Sequence, residues 1–328
     1  MKAPKFWKRG GNSVFQQLLR PLSAVYAFMD KLNRARVHPQ SVGIPVICIG
    51  NVVAGGAGKT PVAIAIARFL LAKGHKVHFL SRGYGGSHKG PLRVVLDVHG
   101  ATEVGDEPLI LASVAPTWIS QDRVDGARAA EAAGAEVIIM DDGFQNPSLV
   151  KDISLLVVDG GYGVGNGYLL PAGPLRETWL SAITRADAVI VVDPTEESAR
   201  LSSGGIPLFN AKIVPQDLQS EIVGEKVVAF AGIGRPQKFF KSLLNVGIDV
   251  IETVEFPDHH KFSQDDIMKL VELAAANDAA LVTTRKDYVR LSTDAKLMTT
   301  VFDIDLSFEQ PGRLQKLLSE KLSDHEHA

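Results

Sequence analysis

The chain is poor in cysteine, with Cys48 as the single one among 328 residues. This scarcity excludes a disulfide-stabilised scaffold and is typical of proteins in a reducing cytosol. No small-residue cleavage site follows an apolar segment near the N-terminus, so we expect no secretory signal. A basic stripe with interleaved aromatic residues is also missing beyond residues 1–36, which argues against a nucleic-acid partner. Otherwise 45% hydrophobic and 22% charged residues are ordinary for a globular protein.

Positive charge is concentrated at the N-terminus. Residues 1–36 hold eight Lys and Arg residues against one Asp, whereas the whole chain has a net charge of −2. Apolar residues recur there at helical spacing: Phe15, Leu18, Leu19, Leu22, Val25, Tyr26, Met29 and Leu32. We favour a basic amphipathic helix in a membrane interface over a helix packed on the protein's own core. Its charges and the Arg20-Pro21 interruption argue against a transmembrane span.

A glycine-rich segment, GNVVAGGAGKTP at 50–61, lies between a short apolar run and an apolar helix-like segment. This arrangement surrounds nucleotide phosphates with backbone N–H groups. Lys59 is expected to reach the β- and γ-phosphates, and Thr60 to coordinate Mg²⁺. Compared with the general P-loop pattern, the opening glycine is replaced by Val53. The predicted nucleotide-binding residues are Val53, Ala54, Gly55, Gly56, Ala57, Gly58, Lys59 and Thr60.

Strand-like and helix-like segments alternate after the N-terminal helix. The strands are predicted at 46–49, 77–80, 137–140, 155–158 and 189–192. This alternation predicts an α/β fold with a parallel sheet and helices on both faces.

A Gly- and Pro-containing stretch at 204–219 predicts a linker. A second set of strands, predicted at 227–230, 249–254, 280–283 and 301–304, indicates a smaller α/β domain. We therefore expect a membrane helix at 1–36, a P-loop domain at 37–205, and the linker with the smaller domain at 206–328.

Two carboxylates, Asp141 and Asp142, follow the strand predicted at 137–140. The carboxyl ends of parallel strands form the ligand-binding edge of such a sheet, where a carboxylate can hold Mg²⁺. Asp and Gly also favour turns, so a strand-ending turn accounts for the pair equally well by itself. The neighbouring P-loop favours the metal-binding interpretation.

Other polar motifs have two interpretations each. Asp106 and Glu107 precede a helix-like segment, and a helix cap accounts for them better than a base that accepts an alcohol proton. His259 and His260 follow a predicted strand, and a polar loop accounts for them better than a metal site.

Arginines supply further candidates for anion binding. Arg123 lies early in a helix-like segment and is available to anions. Arg176 could bind phosphate, although a surface ion pair with Glu177 is the alternative. Tyr84 lies in SRGYGG (81–86), after the second predicted strand.

Seven motifs resemble, in order, those of the tetraacyldisaccharide 4′-kinase family, the lipid A 4′-kinases of Gram-negative bacteria. They are GNVVAGGAGKTP (50–61), SRGYGG (81–86), GDEP (105–108), DDGFQ (141–145), GNGYLLPAGPLRE (165–177), FPDHH (256–260) and TTRKD (283–287). One such motif would be a weak signal, but seven in the family's order are highly specific.

This resemblance implies the activity. Family members transfer the γ-phosphate of ATP to the 4′-hydroxyl of a tetraacyl glucosamine disaccharide 1-phosphate, which gives lipid IVA. The resemblance implies ATP and Mg²⁺ as cofactors, a lipid substrate, and a location at the cytoplasmic face of the inner membrane. It also implies two α/β/α domains joined by a two-stranded linker, and we expect a monomer.

The resemblance also assigns roles to individual residues. Asp106 corresponds to the catalytic base, with raised basicity, and His259 rather than His260 to its partner. Lys59 corresponds to a catalytic phosphate ligand. The expected metal ligands are Thr60, Asp141 and Asp142. The expected substrate residues are Tyr84, Glu107, Arg123, Gln145, Arg176 and Glu177.

Two other classes of function stay open from the residues. Membrane-associated ATPase switches of the partitioning or targeting type share a GGxGKT loop and dimerise around ATP. They have a Lys two residues before the second paired glycine, where this chain has Ala54. A non-catalytic nucleotide-binding scaffold is the third class, and the acids Asp106 and Asp141 argue against it.

Overall fold

The computed structural model describes residues 4–11, 14–196, 198–216 and 224–326. The strands are β1 (Val46–Gly50), β2 (Val77–Ser81), β3 (Leu92–Arg93), β4 (Thr117–Ile119), β5 (Val137–Asp141), β6 (Ile153–Asp159), β7 (Ala188–Val192), β8 (Leu208–Pro215), β9 (Lys226–Ala231), β10 (Asp249–Glu255), β11 (Ala280–Thr284), β12 (Thr299–Phe302) and β13 (Ile304–Phe308). The helices are α1 (Val14–Arg36), α2 (Lys59–Ala72), α3 (Ala101–Val104), α4 (Asp106–Ala112), α5 (Arg123–Ala132), α6 (Trp179–Ile183), α7 (Pro236–Asn245), α8 (Gln264–Ala276), α9 (Arg285–Tyr288), α10 (Thr293–Leu297) and α11 (Pro311–Glu326).

The larger sheet has nine strands within the described residues, in the order β13-β8-β7-β6-β1-β5-β2-β4-β3. Its interior pairs are parallel, and β13 and β3 pair antiparallel at the two edges. The central strand β1 lies between β5 and β6. The loop after β1 and the acids Asp141 and Asp142 at the end of β5 therefore share one edge of the sheet. The predicted α/β fold is confirmed.

The strands around β1 are buried along their whole length. β1, β2, β5, β6 and β7 contain no exposed or half-buried residue. Their continuous apolar sequences, such as AVIVV in β7, are expected where helices cover both faces of a parallel sheet. This packing makes the carboxyl edge a rigid platform for the loops that follow it.

The smaller sheet is parallel throughout, in the order β10-β9-β11-β12. Phe239, Phe240 and Leu243 of α7 pack in one cluster with residues of this sheet, and Ile267 and Leu270 of α8 pack in another. The predicted smaller α/β domain is therefore a helix-covered sheet of its own.

The predicted domain boundary at 205/206 is wrong for three elements. The stretch predicted as a linker contains β8, which pairs with β7 in the larger sheet. The strand predicted at 301–304 is divided between β12 of the smaller sheet and β13 of the larger one. Leu314, Leu318 and Leu322 of α11 also join the core of the larger sheet. The antiparallel pair β8–β13 thus connects the domains, while residues 217–219 of the predicted linker lie outside the described residues.

The N-terminal helix α1 forms as predicted and contains Pro21 within it. Within the described ranges, no helix combines the length and the apolar character needed to cross a bilayer.

Candidate active site

The glycine-rich loop has a backbone shape that its own residues support. Gly58 has a φ of 85° at the N-terminus of α2, a left-handed conformation that suits glycine. The side-chain amide of Asn51 donates to the carbonyl oxygens of Val53, at 3.0 Å, and Gly55, at 3.3 Å. Sequence reasoning missed Asn51, although its place directly after β1 was a usable signal. The loop leads into the N-terminus of α2, whose free N–H groups favour an anion.

Lys59 lies where phosphate groups of a nucleotide are expected. Its Nζ atom is 3.5 Å from Asn51 Oδ1 and 3.6 Å from Asp142 Oδ1. Asp142 Oδ1 is also 3.1 Å from Arg176 Nη1. Burial raises the pKa of Asp142, but Lys59 and Arg176 outweigh that effect and lower it overall. Asp142 therefore pairs with cations in this structure.

Asp141 has a different environment from Asp142. The Thr60 hydroxyl donates to Asp141 Oδ2 at 3.2 Å, while Oδ1 is buried without a hydrogen-bond partner. Burial and the nearby charge of Glu107 raise the pKa of Asp141 to about 7. No group of three His, Cys, Asp or Glu side chains that could hold a metal occurs in the described part of the chain. The hydroxyl and the unpaired carboxylate oxygen nevertheless fit a hard cation that takes its other ligands from phosphate or water.

The segment 169–177 packs against the P-loop and contains two of the predicted substrate residues, Arg176 and Glu177, while a third, Gln145, lies beside it. The Ala54 N–H donates to Pro174 O, and the Arg176 N–H donates to Val52 O, both at 2.7 Å. Gln145 Nε2 donates to Asn51 O at 2.8 Å.

Glu177 connects this region to the N-terminal helix. It accepts from Gln145 Nε2 at 3.0 Å, and its other carboxylate oxygen pairs with Arg185. Arg34 of α1 places Nη2 3.4 Å from Glu177 Oε1. Ser23 of α1 also donates to Leu169 O at 2.8 Å. One face of α1 is therefore fixed to the loops beside the nucleotide site.

Asp106 begins α4 and is only 4% exposed. Its Oδ1 accepts the Glu107 N–H at 3.0 Å, so the carboxylate does stabilise the helix start. Its Oδ2 faces the smaller domain, where His259 Nδ1 lies at 3.0 Å, Arg290 Nε at 3.7 Å and Lys286 Nζ at 3.9 Å. None of the described neighbours completes a hydrogen bond of good geometry with Oδ2. A buried carboxylate oxygen beside an imidazole nitrogen fits the role of accepting a proton from an incoming hydroxyl group.

The basicity expected for Asp106 is wrong for this structure. Burial raises its pKa, but His259 beside it and the cations Lys286 and Arg290 outweigh burial, so the pKa is lowered. The carboxylate is therefore ionised at neutral pH, which is the form that a base must have before it accepts a proton.

The two histidines of FPDHH point in different directions. His259 has a φ of 58° and faces Asp106, with the Tyr84 ring 6.1 Å away. His260 stacks on Phe256 and places Nε2 3.0 Å from Asp266 Oδ2 at the start of α8. The structure thus brings His259 into the site and gives His260 a local structural role.

Arg123 is not placed as an accessible anion ligand. It is 3% exposed, its Nη1 donates to Ser120 O, and its Nε has no partner among the described residues. Burial and the nearby charge of Arg82 lower its pKa to about 10.

Sequence reasoning also missed Lys286 and Arg290. Lys286 is in the TTRKD motif, and its Nζ is 3.2 Å from Glu107 Oε1. Arg290 donates to Lys286 O, His260 O and Gly232 O, each at 3.0 to 3.1 Å, and so fixes the loops that carry His259.

A P-loop on a parallel sheet, with a buried ionised carboxylate in the same domain that meets a histidine of the smaller domain, defines a nucleotide-dependent phosphotransferase. The sequence profile described as Tetraacyldisaccharide-1-P 4'-kinase matches residues 15–323. The chain belongs to the tetraacyldisaccharide 4′-kinase family. This confirms the resemblance and disfavours the ATPase-switch interpretation.

Individual relatives match over nearly their whole length. The chain is 50% identical to "Tetraacyldisaccharide 4'-kinase" of Paramagnetospirillum magneticum over 97% of this chain and 98% of the relative. It is 46% identical to the protein of the same name from Rhodospirillum rubrum, over 97% of each chain. A solved structure of LpxK from Aquifex aeolicus in complex with ATP has a TM-score of 0.78 and 29% identity, over 94% of this chain and all of that one.

Proposed function

We propose that this protein transfers the γ-phosphate of ATP to the 4′-hydroxyl of tetraacyldisaccharide 1-phosphate, which gives lipid IVA in lipid A biosynthesis. The observation that carries the proposal is Asp106 Oδ2, a buried acceptor beside His259 with no completed hydrogen bond. An alcohol needs such a group to orient it and take its proton during phosphoryl transfer.

The nucleotide is bound by the loop Val53–Thr60 and the first turn of α2. Backbone N–H groups of the loop surround the phosphates, and Lys59 counters charge on the β- and γ-phosphates. Thr60 and Asp141 would hold Mg²⁺, which when bound neutralises phosphate charge and fixes its orientation. Asp142 keeps Lys59 and Arg176 in place at the same edge.

The acceptor enters between the two domains. Asp106 takes the 4′-hydroxyl proton as the oxygen attacks the γ-phosphorus and the bond to the β-phosphate oxygen breaks. His259 orients Asp106 and stabilises its negative charge before transfer. Because these two residues belong to different domains, closure assembles the base and excludes water from the transferring group.

We further propose that α1 lies in the cytoplasmic leaflet of the inner membrane and presents the lipid headgroup to this cleft. One face of α1 binds the protein through Ser23 and Arg34. The opposite face leaves large apolar side chains more than half exposed: Val14, Phe15, Leu18, Leu22, Val25 and Phe28. An exposed apolar face of this kind on a basic helix favours an interfacial membrane location. We propose a monomer, because one chain supplies both the P-loop and the base.

The test is transfer of label from γ-³²P-labelled ATP to tetraacyldisaccharide 1-phosphate in detergent micelles, with wild type and Asp106→Ala compared. We expect labelled lipid with the wild type and a loss of orders of magnitude in kcat in the variant, with ATP still bound. Near-normal turnover by the variant contradicts the assigned base. ATP-dependent dimerisation without labelled lipid would instead favour the ATPase switch.

A further inference from the structure

Lys286 reaches the carboxylates of the GDEP turn from the other domain. It is in α9, directly after β11 of the smaller sheet. Its Nζ lies 3.2 Å from Glu107 Oε1 and 3.9 Å from Asp106 Oδ2, and its side chain is 27% exposed. Because the Lys286 side chain is partly buried, water screens its charge less than that of a surface lysine, and it interacts more strongly with nearby charges.

The other cationic groups near Asp106 do not duplicate this charge. Arg290 is hydrogen-bonded at 2.8 Å to Asp287, which is fully buried. His259 carries a charge only when it is protonated. Lys286 therefore supplies a permanent positive charge whose nearest carboxylates are those of the GDEP turn.

We propose that Lys286 is a positioning residue for the transfer reaction, which holds Glu107 and Asp106 across the domain boundary and keeps Asp106 ionised. The inference rests on the proposed function, because it requires Asp106 to be the base. It gives the lysine of TTRKD a role beyond local structure. Because Lys286 and His259 both belong to the smaller domain, the surroundings that Asp106 needs as a base are complete only when the two domains are in contact.

The electrostatics agree with this geometry. Burial lowers the pKa of Lys286, but Glu107, Asp106 and Asp258 outweigh it and raise the pKa above its usual value. Among the described residues, the charged or titratable groups that approach Asp106 are His259, Lys286 and Arg290, all from the smaller domain. Removing Lys286 leaves the effect of burial opposed by less positive charge, so the pKa of Asp106 rises and the carboxylate becomes easier to protonate.

The experiment compares Lys286→Met and Lys286→Arg with Lys269→Met, a matched change at an exposed position of α8. It measures kcat/KM for the lipid acceptor from about pH 3 to about pH 7, because the lowered pKa of Asp106 places the acid limb of the wild type below the usual range of an aspartate. ATP affinity and Tm are measured over the same range. For Lys286→Met we expect the acid limb of the profile to move upward by about one pH unit or more, since a close opposite charge shifts a carboxyl pKa by that amount. Lys286→Arg restores most of the activity, and Lys269→Met behaves as the wild type.

An acid limb that stays in place in Lys286→Met overturns the inference, even if kcat falls, because the lysine would then act directly on the phosphoryl group or only on the fold. A loss of kcat/KM that is accompanied by an equal loss of ATP affinity, or by a corresponding fall in Tm, overturns the inference as well. A wild type that transfers no phosphate to the lipid overturns the proposed function and this inference with it. An active wild type without the pH shift overturns this inference alone.

Discussion

His259 of the smaller domain places its Nδ1 atom 3.0 Å from Oδ2 of Asp106 at the start of α4. The contact crosses the boundary between the domains and joins two motifs that are about 150 residues apart in the chain. Each residue taken alone has an ordinary role, as a helix start and as part of a polar loop. Together they form a carboxylate–imidazole pair that can accept and stabilise a proton.

The first prediction separates the two neighbouring histidines. We expect His259→Asn to lower kcat for lipid phosphorylation by about 10²-fold, with little change in ATP affinity. Asn is chosen because it tolerates the positive φ at this position. The matched control is His260→Asn, which loses the contact with Asp266 and should lower Tm while it keeps most of kcat. Equal losses of kcat in the two variants would show that His259 has no special role.

The second prediction concerns the phosphate lysine. Lys59→Ala should weaken ATP binding by at least about tenfold and also lower kcat, since its charge serves both the bound nucleotide and the transition state. Lys73→Ala removes an exposed lysine at the other end of the same helix and should change neither. Calorimetric titration with ATP and the lipid-labelling assay measure the two effects. Unchanged ATP affinity in Lys59→Ala would contradict the placement of the phosphates at this loop.

Much of the fold could be predicted because the strands around β1 are buried on both faces. A short, continuous apolar run such as VIIM in β5 is typical of a strand covered on both sides. β3 has two residues and β4 three, and these were not predicted, because such short strands leave little pattern in the sequence. β8 was hidden in a segment with glycine and proline, and its pairing with β13 depends on residues about 100 positions away.

The site was partly predictable for a related reason. The P-loop and Asp141–Asp142 are local patterns at strand ends, so their place at the ligand-binding edge followed from the sequence. Lys286 and Arg290 act through contacts across the domain boundary, which no local pattern shows. The lowered pKa of Asp106 depends on the same contacts. The expected raised basicity did not include the cations Lys286 and Arg290 that the smaller domain supplies.

The third prediction concerns a second contact between the domains and its dependence on pH. Lys238 and Arg235 of the smaller domain place nitrogen atoms 2.7 and 2.9 Å from Asp159 Oδ2 at the end of β6. Burial raises the pKa of Asp159, but these cations outweigh it and lower the pKa. Because the pKa of Asp159 is lower in the folded state than in the unfolded state, its ionised form stabilises the fold at pH values above the unfolded-state pKa of about 3.9. This stabilisation is lost as the pH falls through the folded-state pKa.

Asp159→Asn should therefore lower the urea midpoint at pH 7 and pH 5, and the difference from wild type should shrink below about pH 4. Asp305→Asn is the control, because its pair with Arg68 is about 40% exposed on both sides and should contribute little at any pH. A difference for Asp159→Asn that is independent of pH would indicate lost packing instead of a lost ion pair.

The last prediction tests the membrane role of α1. Leu18 and Leu22 are 68% and 55% exposed on the face of α1 that turns away from the protein. Replacing both by Glu puts two charges where we propose that the helix meets the bilayer, and we expect at least about tenfold weaker binding to anionic vesicles. The KM for the lipid should rise, while ATP affinity stays unchanged because the P-loop is not altered. Leu297→Glu, at a position on α10 that is 84% exposed, is the control for adding a charge to an exposed leucine. If the Leu18→Glu/Leu22→Glu variant floats with vesicles to the same extent as the wild type, this result would contradict the proposal that α1 is the membrane-binding element.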